Sequence, residues 1–129
     1  MRIALFTDTF PPEINGVANS TYILRNELEK HGNQVYVVTT FSGSGHAKWD
    51  DDGRILRLAG KELKFLYGYI MTSPFHAFAM EEIRKLDLDV IHAQTEFGVG
   101  IFARLCAKQL HIPLVSTYHT TYEDYTHYV

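Results

Sequence analysis

The feature that most constrains this chain is a regular alternation of short apolar runs with stretches of helical period. Ile3-Ala4-Leu5-Phe6, Val35-Tyr36-Val37-Val38 and Val90-Ile91-His92-Ala93 are of strand length and carry almost no polar side chains. A strand reads this way when helices cover both faces of its sheet. Between the first two runs, residues 17–31 place Val17, Thr21, Leu24 and Leu28 on one helical face, and Gly32 stops that helix. Residues 97–110 form a further helix. Ser73-Pro74 opens another that runs to about Lys85, with Ser as the cap and Pro at the first helical position. Residues 54–58 alternate as a third, shorter strand, and residues 113–118 form a fifth. Residues 41–52 read as a loop leading into the Asp50-Asp51-Asp52-Gly53 turn, while residues 61–69 fit neither pattern.

Alternating strand and helix is the signature of a parallel sheet with crossover helices, and right-handed crossovers place helices on both faces. The expected fold class is therefore α/β, a Rossmann-like doubly wound parallel sheet of five strands and three helices. Ligands of such sheets bind beyond the carboxyl ends of the strands. That rule puts the site among residues 8–16, 39–45, 94–98 and 119–122, where polar residues and glycines concentrate.

Composition agrees with one globular domain spanning residues 1–129. Apolar residues make up 46% of the 129, too many for a disordered segment. Lys and Arg number 12 against 15 Asp and Glu, a formal charge of −3, so no basic excess marks a nucleic-acid partner. A single cysteine, Cys106, excludes an internal disulfide and a multi-cysteine metal site, and fits a reduced, cytosolic setting. Its place mid-helix beside Leu105 and Ala107 reads as a buried, inert thiol. No run approaches the length of a membrane span.

Several motifs carry chemistry. Asn15-Gly16 stands between the first strand and the first helix, where exposed N–H groups and the helix dipole favour a phosphate. The structural alternative is a plain βα turn with Gly chosen for its dihedral angles. Gly98-Val99-Gly100-Ile101-Phe102-Ala103 matches the dinucleotide pattern Gly-x-Gly-x-x-Gly/Ala, but it follows the fourth strand, whereas the fingerprint belongs to the first βα turn. Close approach of this helix to the sheet or to a ligand is the better account of its glycines. His119, in Tyr118-His119-Thr120-Thr121-Tyr122, sits at a strand's carboxyl end, where a ring nitrogen can hydrogen-bond a ligand. No His-Glu-x-x-His or zinc-like spacing is present, so no metal is expected. Glu81-Glu82 beside Arg84-Lys85 reads as a solvated helix surface, and Trp49 has no assignment. The aromatic-rich stretch 63–79, flanked by Lys61, Lys64, Arg84 and Lys85, is either core packing or a surface that meets lipid.

Four segments carry a family resemblance. They are Met1-Arg2-Ile3-Ala4-Leu5-Phe6-Thr7-Asp8-Thr9-Phe10-Pro11-Pro12-Glu13-Ile14-Asn15-Gly16-Val17, then Leu28-Glu29-Lys30-His31-Gly32-Asn33-Gln34-Val35, then Asp89-Val90-Ile91-His92-Ala93-Gln94-Thr95-Glu96-Phe97-Gly98, and Thr117-Tyr118-His119-Thr120-Thr121-Tyr122-Glu123-Asp124-Tyr125. In this order they resemble the amino-terminal half of retaining glycosyltransferases of family 4, which have the GT-B fold. The last segment is similar to bacterial diacylglycerol glucosyltransferases. The resemblance implies that Gly16, with Asn15, approaches the diphosphate of a UDP-sugar donor, and that His119 is the catalytic-site histidine at the donor sugar or acceptor. It also implies that Glu96, Thr120 and Tyr122 line the acceptor cleft. The implied acceptor is diacylglycerol at the inner face of the cell membrane, met by a cytoplasmic, peripherally bound enzyme that needs no cofactor. A soluble sugar or cell-wall acceptor, or a non-catalytic nucleotide-binding module, are the competing readings.

In that family a carboxy-terminal domain supplies most of the nucleotide site, including a Glu-x7-Glu motif. No two glutamates here have that spacing. The expectation is an acceptor-side domain that lacks its donor-binding partner domain and is inactive by itself.

Overall fold

The computed structural model describes residues 1–12, 15–43, 45–50, 53–63, 69–72, 76–95 and 98–117. In chain order these form β1 (Arg2–Phe6), α1 (Gly16–Lys30), β2 (Gln34–Ser42), β3 (Lys48–Asp50), β4 (Ile55–Leu63), β5 (Tyr69–Met71), α2 (Ala77–Arg84), β6 (Val90–Ala93), α3 (Gly98–Leu110) and β7 (Leu114–Ser116). Five strands run parallel in the order β4-β2-β1-β6-β7, the five that the alternation predicts. From β1 the chain steps outward through β2 to β4. It then returns to lay β6 on the other edge of β1, with β7 beyond it. The winding thus reverses at the seam between β1 and β6, the place where a doubly wound sheet opens a crevice.

Each face of the sheet has its own apolar layer. Leu24 and Leu28 of α1 pack against Ile3, Leu5, Val35, Val37 and Ile55, joined by Phe10 from the loop after β1. On the opposite face, Ala79 and Ile83 of α2 and Val99, Phe102 and Cys106 of α3 cover Ala4, Phe6, Val38, Leu56 and Ile91. The rings of Phe6 and Phe102 lie 6.0 Å apart at a tilt. Helices cover both faces, so the fold is Rossmann-like α/β. The helical face read from Val17, Thr21, Leu24 and Leu28 is the face α1 turns inward, with Thr21 fully buried. The backbone at Gly32 enters the left-handed region, φ +86°, just past the helix.

Three local expectations need correction. The expected loop 41–52 is partly strand: β2 runs on to Ser42, and Lys48–Asp50 returns as an antiparallel strand on β4. Thr39 and Thr40 look polar in sequence, yet both are buried within the sheet, and β-branched residues suit a strand. The third strand is longer than residues 54–58, because β4 continues to Leu63 and pairs antiparallel with β5. Helix α2 begins at Ala77 rather than at Ser73-Pro74, which lie outside the described residues. His76 occupies the cap position, and no side-chain bond caps the helix there. The preceding residue in the described chain, Thr72, donates its hydroxyl to the Ala59 carbonyl at 2.6 Å, and the same oxygen lies 3.0 Å from His76 Nε2.

Trp49 gains an assignment. Its indole Nε1 donates to Glu82 Oε1 at 3.2 Å, and its ring packs on the α2–α3 side of the core. Glu81 and Arg84 pair in solvent as expected, at 2.9 Å. Cys106 is buried, and burial pushes its thiol up to about 12, the inert cysteine expected. Of the aromatic-rich stretch, Phe65, Leu66, Tyr67 and Phe75 lie outside the described residues; Ala79 is buried, Met80 packs on the core and Phe78 is exposed. No described helix is long and apolar enough to cross a membrane.

Candidate functional site

The carboxyl ends of the strands are polar and yet buried. Thr7, Asp8 and Thr9 follow β1, Gln94 and Thr95 follow β6, and Thr39 and Thr40 end the buried part of β2. Buried polar groups need partners, and here most find them in each other. The Thr7 hydroxyl donates to the Thr9 carbonyl at 2.8 Å. The backbone N–H of Asp8 donates to Thr95 Oγ1 at 2.9 Å, and the Thr95 hydroxyl donates to Asp8 Oδ2 in a short bond. Thr40 Oγ1 donates to the Asp8 carbonyl at 3.3 Å. Asp8 therefore ties β1 to the strands on both sides of it.

The second carboxylate oxygen of Asp8 accepts the backbone N–H of Val99 at 3.1 Å, so a buried anion of the chain itself sits at the amino end of α3. The two glycines there are required by contact. A Cβ on Gly98 would lie 2.1 Å from the Thr72 carbonyl oxygen, and one on Gly100 the same distance from that of Thr95. The dinucleotide-like run at 98–103 thus serves close packing, and its anion position is already filled.

The amino end of α1 is different. Asn15 is its N-cap: Oδ1 accepts the Ala18 N–H at 2.8 Å, and Nδ2 donates to Thr9 Oγ1 at 2.7 Å. The first N–H groups of a helix have no intrahelical partner. Asn15 takes that of Ala18, leaving those of Gly16 and Val17 without a partner among the described residues. Gly16 is exposed, its φ is not positive, and a Cβ placed on it would meet nothing within 4 Å. Neither dihedral strain nor internal packing calls for glycine at this position. Of the grounds for a plain βα turn, the need for glycine dihedral angles is not seen at Gly16.

Two further residues shape this end of the sheet. Arg57, with 14% of its side chain exposed, donates from Nη2 to the Pro11 carbonyl at 2.8 Å and from Nη1 to the Thr40 carbonyl at 3.1 Å. Its Nε donates to Asp50 Oδ2 at 2.7 Å. Gln94 extends the β6 ladder by donating its backbone N–H to the Phe6 carbonyl, but its side-chain Nε2, buried at the seam, has no partner among the described residues. A buried donor of this kind is satisfied by a ligand or an ordered water.

Of the residues singled out in sequence, Asn15 and Gly16 meet at the head of α1. Glu96, His119, Thr120 and Tyr122 lie outside the described residues. Sequence reasoning missed Asp8, Arg57, Gln94 and Thr95 as individuals. For Arg57 a signal was available: it is the one charged residue in the run Ile55-Leu56-Arg57-Leu58.

Comparison with known proteins accords with this geometry. Residues 14–129 match the model of Glycosyltransferase Family 4. The whole chain is 40% identical to alpha-monoglucosyldiacylglycerol synthase of Streptococcus pneumoniae and 39% identical to that of Acholeplasma laidlawii. It covers 29% and 32% of those proteins, so it spans about a third of their length. Over 93% of its length it is 27% identical to the GDP-mannose-dependent alpha-mannosyltransferase of Mycobacterium tuberculosis, of which it covers 32%. The match over residues 14–129, carried by a Rossmann-like sheet, places the chain in glycosyltransferase family 4.

Proposed function

We propose that this chain is the acceptor-side domain of a two-domain retaining transferase that moves glucose from UDP-glucose to diacylglycerol. The observation that carries the reading is the head of α1, where Gly16 leaves open space and N–H groups with no partner among the described residues, at the reversal point of the sheet. The names of the two relatives near 40% identity supply the glucolipid product. In this reading the donor diphosphate rests against the N–H groups of Gly16 and Val17. Asn15 holds them in place by capping the helix and tying it to Thr9. As the sugar C1–oxygen bond breaks, negative charge grows on the departing diphosphate, and the helix end stabilises it. The acceptor hydroxyl bonds to C1 on the face the diphosphate leaves, and its proton passes to the departing phosphate oxygen. His119 orients the donor sugar and the acceptor, with Glu96, Thr120 and Tyr122 around the acceptor. A second domain supplies the nucleotide contacts, no cofactor or metal takes part, and the enzyme works peripherally on the cytoplasmic face of the membrane.

The test is transfer from radiolabelled UDP-glucose by the intact protein to vesicles containing diacylglycerol. The expected result is labelled glucolipid, none from residues 1–129 alone, and a donor KM raised about tenfold or more by Gly16→Val, since a branched side chain keeps the phosphate from the helix end. Label appearing only in soluble acceptors would overturn the lipid assignment.

A further inference from the structure

We propose that Arg57 is a positioning residue for donor binding, acting as the clamp that holds the β1–α1 loop, and through it the head of α1, over the sheet. The proposal rests on the reading of Gly16 given above. The loop contains Pro11 and Pro12, and neither has a backbone N–H. At Pro11 the main chain can be held only through its carbonyl, which needs a donor from elsewhere. On β2 the Thr40 carbonyl is itself an acceptor of the same guanidinium. Arg57 stands one strand further out, opposite Thr39 in the β2–β4 register. Its side chain crosses over β2, donates to the Thr40 carbonyl on the way and reaches the Pro11 carbonyl beyond.

The fork geometry explains why arginine is used. Three nitrogens face three acceptors on three different segments: Asp50 of β3, Thr40 of β2 and Pro11 of the loop. Asp50 balances the charge of the largely buried guanidinium. A lysine has one nitrogen on a flexible stem and cannot hold the three acceptors in one plane. Asp8 and Thr9 are pinned from within the site, by Thr40 on the Asp8 carbonyl and by Asn15 on Thr9. Arg57 supplies the pin on the outer side. Losing it leaves the sheet intact and lets the phosphate-binding N–H groups drift, an error of the kind that costs binding at a distance from the altered residue.

The experiment compares Arg57→Lys, Arg57→Ala and Asp50→Asn with the unaltered intact protein. For Arg57→Lys the expected result is a donor KM raised about tenfold with kcat and the diacylglycerol KM changed less than about threefold. Millimolar guanidinium ion is expected to restore the donor KM of Arg57→Ala. Asp50→Asn removes the counter-charge on β3 but keeps an oxygen for Nε, and is expected to raise the donor KM less than Arg57→Lys does. Amide hydrogen exchange at Thr9 and Ala18 is expected to quicken in both Arg57 variants, whether or not a sugar nucleotide is present. Equal losses for donor and acceptor, a donor KM unmoved in both Arg57 variants, or an Asp50→Asn effect as large as that of Arg57→Lys would each overturn the clamp. Failure of the underlying reading shows separately, as a donor KM indifferent to Gly16→Val while exchange at Thr9 and Ala18 still responds to Arg57.

Discussion

Three glycines at two helix heads have opposite surroundings at the place of the missing Cβ. At Gly98 and Gly100 a methyl group would run into a carbonyl oxygen 2.1 Å away, so the backbone itself would have to move. Gly98→Ala and Gly100→Ala are expected to lower stability by about 1–3 kcal/mol, the usual cost of overpacking. Gly16→Ala, with open space around it, is expected to leave the urea midpoint unchanged. Chemical denaturation of the three variants checks this contrast. The glycines themselves were legible in sequence, and so was the weakness of the Gly98–Ala103 match. What sequence could not supply was Asp8, whose carboxylate reaches Val99 across 91 positions of chain to fill the end of α3. A contact of that range leaves no local pattern. Arg57 is similar: its strand was readable from alternation, but its reach over β2 to Pro11 depends on strand order.

At the scale of elements, β1, β2 and α1 were readable because burial on both faces and a four-three-four step are strong signals, whereas β4 was read from alternation and β7 is exposed along its length. The antiparallel strands β3 and β5 were not readable. Each is three residues long, and each exists because β4 offers an edge to pair with. Their formation is a tertiary event, as is the late start of α2. The docking of β3 on α2 gives a direct test, because Trp49 is the only tryptophan. Hydrogen bonds from the Lys85 ammonium and then from the Trp49 indole hold the Glu82 carboxyl below the usual carboxylate range. A carboxyl lowered on folding favours the folded arrangement above its unfolded pKa, and that preference fades as pH falls through the lowered one. Acid titration below the usual carboxylate range is therefore expected to shift Trp49 emission as the contact with Glu82 is lost. Glu82→Gln, which cannot titrate, is expected to abolish that acid step; an identical step in the variant would assign it to other groups.

For the molecule as a whole, the seam between β1 and β6 has a consequence for the order in which the protein is made. Of the strands described, the central one is made before the others, while its neighbour β6 and the α3 head that Asp8 caps come some ninety residues later. Until then one edge of β1 is bare, and a buried carboxylate has neither Thr95 nor Val99 to receive it. Unpaired strand edges of this kind are where emerging chains are vulnerable to misassembly. Ribosome-bound chains halted after β5 are expected to be cut readily by protease, and chains extended through β7 to resist it, a difference that pulse proteolysis on stalled ribosomes measures. The keystone is thus made ahead of the stones around it, and the arch stands open until its second half arrives.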